Sequence, residues 1–61
     1  MTTYLVQTLT SYRVTKTRRF ADYVAALNAF EHTKRIDDGC IMLLEVVTTQ
    51  AMRQTRAIAS K

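Results

Sequence analysis

Proline and tryptophan are absent from this 61-residue chain, and glycine and cysteine occur once each. One cysteine closes no intramolecular bridge, which excludes the disulfide scaffolds that very small domains often use. The missing proline and single glycine exclude a collagen-like repeat and a Pro/Gly-rich linker. Long apolar runs are missing too. Cys40 to Leu44 falls far short of the roughly 18 residues that a membrane span needs. The opening Met-Thr-Thr-Tyr-Leu-Val-Gln has neither the basic start nor the apolar stretch of a secretory signal. The expected location is therefore the cytoplasm, where a lone thiol is unremarkable.

What is present suits a single small α+β domain spanning residues 1–61, 48% hydrophobic. A chain of this length buries only about 60% of its unfolded surface, so its stability is marginal. His32 with Cys40 is two ligands short of a closed zinc site, and no cofactor or metal is expected. Self-association as a homodimer, or docking on a larger protein, is the expected further source of stability.

Met1 to Phe20 is rich in Thr, Tyr and Val, a strand-like composition. Tyr4, Val6, Tyr12 and Val14 share even parity and predict one apolar face, with Gln7, Arg13, Thr15 and Thr17 opposite. A hairpin turning near Leu9, Thr10 and Ser11 is expected, with one long bent strand as the competing reading. Asp22 to Arg35 predicts a helix. Asp22 can cap it, Ala21, Ala25, Ala26 and Ala29 favour it, and Tyr23, Val24, Leu27 and Phe30 form its apolar stripe. Asp37-Asp38-Gly39 then reads as a turn. Cys40 to Thr49 predicts a strand that is apolar at both parities, so both of its faces call for cover. Within it Met42, Leu44 and Val46 are expected to meet the helix stripe. Gln50 to Ala59, rich in good helix formers and with Thr49 as cap, favours a short helix, a fourth strand being the alternative. The expected architecture is thus a small antiparallel sheet in ββαβ order, packed on one amphipathic helix and followed by a short C-terminal helix.

Charge is unevenly placed. Arg13, Lys16, Arg18 and Arg19 precede any acid, whereas Asp22, Glu31, Asp37, Asp38 and Glu45 all fall in the middle of the chain. Arg53, Arg56 and Lys61 close it with no acid among them. Such a layout suits a partner of complementary pattern. The candidate contact residues are Tyr12, Arg13, Lys16, Arg18, Arg19, Arg53 and Arg56, with Tyr12, Arg13 and Arg19 as hot spots. The basic segments also offer a phosphate-binding alternative in which Tyr12 or Phe20 stacks on a base.

His32 and Cys40, with Asp37 or Asp38, could in principle form a base, nucleophile and orienter. The plainer reading is a surface histidine near a helix end and a small buried thiol. Met42 and Met52 read as core fillers before they read as a plastic contact surface. No Gly-rich phosphate loop or Gly-flanked serine is present, and no enzymatic activity is expected.

Basic strands ending in Arg19-Phe20, a helix through Ala21-Asp22-Tyr23-Val24-Ala25-Ala26-Leu27, and then Leu43-Leu44-Glu45-Val46-Val47-Thr48 make an ordered pattern. In this order the chain resembles small bacteriophage accessory proteins with two strands, a helix and a further strand. The Ala-rich C-terminal segment departs from versions that end in a strand. The resemblance implies a non-catalytic inhibitor of host machinery, such as RNA polymerase, nucleases or CRISPR complexes, acting by protein–protein contact in the host cytoplasm. It carries no functional residue over to this chain. The alternative is a basic nucleic-acid-binding module that uses the second strand and the C-terminal segment.

Overall fold

β-Branched side chains favour extended backbone, and the Thr- and Val-rich N-terminal third forms two strands, β1 (Thr2–Thr10) and β2 (Arg13–Phe20). The computed structural model describes residues 1–10, 13–35 and 39–61. β1 and β2 pair antiparallel as a hairpin rather than one bent strand. Ser11 and Tyr12, where the turn is expected, lie outside the described residues, as does most of the expected turn at Asp37-Asp38-Gly39.

The helix α1 (Tyr23–His32) starts where Asp22 caps it, the carboxylate accepting from the Ala25 N–H at 3.1 Å. It ends earlier than the expected Arg35. Thr33 turns extended, and its N–H and hydroxyl both donate to the Ala29 carbonyl, at 3.0 and 2.6 Å. A terminal carbonyl of the helix is thereby satisfied without another turn. Lys34 and Arg35 consequently lie beyond the last turn instead of in it.

Two further strands follow, β3 (Cys40–Thr48) and β4 (Arg53–Ser60). The sheet order is β2-β1-β3-β4 with every pairing antiparallel. The expected C-terminal helix over Gln50–Ala59 is therefore wrong, and the order is ββαββ instead of ββαβ. The reason is tertiary. β3 has a second edge whose N–H and C=O groups need partners, and residues 53–60 supply them along almost its whole length. Thr49 does not cap a helix but holds the turn. Its N–H donates to the Met52 carbonyl at 2.9 Å, and its hydroxyl accepts from the Met52 N–H at 3.2 Å. A Ser/Thr side chain doing this work replaces the missing Gly, Asn or Pro. Backbone bonds of 2.8 and 2.9 Å between Lys61 and Ile41 pin the end of the chain. The helix propensity of Ala, Gln and Arg yields to this pairing.

α1 packs on β2, β1 and β3. Its core comprises Val6, Ala26, Phe30, Ile41 and Leu43, with Tyr4, Phe20, Leu27, Ala29 and Ala59 against them. Ala26 is fully buried, so its small side chain lets the helix backbone sit close to the sheet. The contact face is rolled towards Ala26 and Ala29 relative to the expected stripe. Val24, expected within that stripe, is 69% exposed. Tyr23 is half exposed and meets Tyr4 edge-on, with ring centroids 5.5 Å apart.

Register decides which side of β3 the helix covers. Val6 stands opposite Leu43 and Thr8 opposite Ile41, so the odd-numbered residues of β3 face α1. Met42, Leu44 and Val46, expected under the helix, point the other way. β2 carries a bulge: Thr8 pairs with Lys16 but Leu9 with Val14, leaving Thr15 as the extra residue. Parity inverts across it. Val14 lands opposite Leu9, away from the helix and half exposed, and does not share the face of Tyr4 and Val6.

A candidate interface on the open sheet face

The sheet has two faces, and α1 covers one of them. Among the described residues no element lies on the other. There Leu5, Leu44 and Val46 gather with Met42 in a second apolar cluster. Leu5 and Leu44 are 9% exposed and Val46 4%, although no described element lies over them. Leu9 and Val14 extend the apolar surface towards the hairpin end.

Two arginines bound this cluster. Arg19, on β2, stands opposite Leu5, which itself stands opposite Leu44. Arg53, on β4, stands opposite Thr48. The two side chains line a single depression of about 270 Å³ together with Met1, Thr3, Leu5, Val46 and Thr48. Its floor is aliphatic and its rim combines threonine with guanidinium. Arg56 and Glu45, 3.0 Å apart on the helix side, form the only ion pair among the described residues. Arg19 and Arg53 are thus left without one. The described acids, Asp22, Glu31 and Glu45, belong to the helix cap, the helix and the helix-side face. The open face is apolar at its centre and basic at its rim.

The pleat divides the basic residues read from the sequence. Arg13, Lys16 and Arg18 stand opposite Thr10, Thr8 and Val6 and so fall on the helix side. The Arg18 guanidinium lies 5.2 Å from the Phe20 ring centroid, a cation–π contact. Arg56 is held by Glu45 on that same side, at the opposite edge of the sheet. Arg19 and Arg53 line one depression on the open face, and Tyr12 lies outside the described residues. The sequence reading missed that Leu5, Met42, Leu44 and Val46 gather on the face away from the helix. The signal was there in the two-sided apolar pattern of residues 41–47, which one helix cannot cover.

The sheet separates the two chemically reactive side chains. His32 is exposed on α1, its Nδ1–H donating to the Asn28 carbonyl at 2.8 Å. Cys40, half-buried, stands opposite Leu9 on the open face. Among the described residues no three His, Cys, Asp or Glu side chains converge on a common point. Met42 belongs to the open cluster, and Met52 is 56% exposed beside the Thr49 turn. Among the described residues no helix is long and apolar enough to cross a membrane. No family model, curated protein or solved structure matches this chain.

Proposed function

We propose that this chain is a non-catalytic binding protein that docks a protein partner on its open sheet face. One observation carries the reading: the apolar cluster of Leu5, Leu44, Val46 and Met42 lies on a face that no described element covers. A sheet face of this kind gains stability when a second layer packs on it. Contiguous apolar surface with a polar rim is how protein contacts are usually built. Arg19 is the hot-spot residue of the set, because it stands beside the apolar centre and has no ion-pair partner among the described residues. The resemblance to bacteriophage accessory proteins gives the partner a class, a host nucleic-acid-processing complex, and the protein a role as its inhibitor in the host cytoplasm. Affinity capture with the parent and with a Leu44→Glu variant tests the reading. The same partner should be recovered by the parent and by Arg18→Ala, and lost with Leu44→Glu. Equal recovery by all three would remove the open face as the contact.

One observation favours a second reading, nucleic-acid binding at the other side of β2. Lys16, Arg18 and Phe20 share the helix-side edge of that strand, cations beside an aromatic ring. Binding there would weaken steeply with salt, in proportion to the phosphates neutralised. A gel shift with single-stranded oligonucleotide at two salt concentrations separates the readings, and no shift at low salt would dispose of this one.

A further inference from the structure

We infer that the partner is acidic: an amphipathic protein segment whose apolar side chains cover Leu5, Leu44 and Val46 while its carboxylates seat between Arg19 and Arg53. This rests on the protein-docking reading of the open face and names its occupant.

The argument is one of charge complementarity. Arg19 and Arg53 reach one depression from opposite edges of the sheet, over a floor made by Leu5 and Val46. Neither guanidinium has an ion-pair partner among the described residues. Guanidinium forks match carboxylates bidentately, with two parallel charge-assisted hydrogen bonds. Partner carboxylates therefore meet cations that, among the described residues, have no internal pair to break first. Two cations on one rim also steer an acidic surface during encounter.

The competing occupants fit less well. A second copy stacked through the same face brings arginines to arginines, because none of the residues that β1–β4 place on this face is acidic. Single-stranded nucleic acid relies on aromatic rings for stacking. Among the described residues every aromatic ring, Tyr4, Phe20, Tyr23 and Phe30, belongs to the helix side.

The test titrates the isotope-labelled full chain with two capped synthetic peptides, followed by methyl NMR. Both are amphipathic helices with the same leucine stripe, flanked by glutamate in one and by lysine in the other. The glutamate peptide should shift the methyl signals of Leu5, Leu44 and Val46 and bind at least about ten-fold tighter than its lysine twin. Arg19→Ala and Arg53→Ala together should remove that preference, and Arg18→Ala should leave it intact. Circular dichroism verifies that each variant folds, with Arg19→Gln and Arg53→Gln standing in for any alanine variant that does not. Equal binding of the two peptides at this face would overturn the acidic partner and leave protein docking standing. Binding of neither would overturn both. Tighter binding of a single-stranded oligonucleotide at the same methyls would replace the inference with nucleic acid. A dimer in sedimentation that Leu44→Glu dissolves would put a second copy on the face and overturn it likewise.

Discussion

Leu43 and Leu44 are neighbours in the chain and lie on opposite faces of the sheet, so aspartate at each position weighs the two faces against each other. Leu43 is fully buried under α1, among Val6, Phe30 and Ile41. Removing its side chain forfeits about 2–3 kcal/mol of burial and leaves a void. The new carboxylate, shut away from water, adds several kcal/mol more. A chain of this length holds roughly 3–9 kcal/mol in all, so Leu43→Asp should show no cooperative melt. Leu44 is 9% exposed on the open face, with no described element above it. A carboxylate there turns into water, and the loss is confined to apolar contact and β-propensity, about 2 kcal/mol together. That corresponds to a melting temperature lower by about 8–16 °C in a domain of this size. Thermal melts by circular dichroism decide it. If Leu44→Asp abolishes the transition while Leu43→Asp melts near the parent, the helix packs on the wrong side of the sheet and the open face does not exist.

Other perturbations probe separate parts of the fold. Asp22→Ala removes the bond to the Ala25 N–H and should cost about 1 kcal/mol in urea denaturation. Ala26→Leu forces a larger side chain between α1 and the sheet at a site with no exposed surface. Overpacking of about 1–3 kcal/mol should follow, read as a lowered urea midpoint with the slope unchanged. Arg18→Ala gives up the exposed contact with the Phe20 ring and Arg19→Ala no ion pair. The two variants should melt within about 1 and 0.5 kcal/mol of the parent, respectively.

How much of this was legible follows from how local each signal is. The cap at Asp22, the alternation of Tyr4 and Val6 and the apolar run from Ile41 all act over a few residues and appear in the structure. β4 was misread because Ala51, Gln54 and Ala57 carry helix propensity, whereas the demand that overrides it comes from the open edge of β3. Side assignment failed at Leu44 for a similar reason. A run apolar at both parities cannot say which parity the helix chooses, and that is settled by pairing Val6 with Leu43. The basic residues of the second strand look contiguous in the sequence. Pleating sends Arg18 and Arg19 to opposite faces, and a bulge at Thr15 breaks the parity count between Val14 and Phe20.

The antiparallel seam between β1 and β3 has a bearing on how quickly the chain folds. Each hairpin joins segments that follow closely in sequence, and such units assemble in about 1–10 μs. Among the strand pairings the seam alone joins the hairpins, and it brings Met1 to Thr48, 47 positions away, with backbone bonds of 2.8 Å in both directions. The loop-closure entropy of the whole topology is therefore concentrated in a single zippering step, which should set the folding rate. In stopped-flow refolding, Val6→Ala should slow the folding limb, while Ile58→Ala on the outer strand should mainly hasten unfolding. The search that limits folding is thus the meeting of two preformed halves.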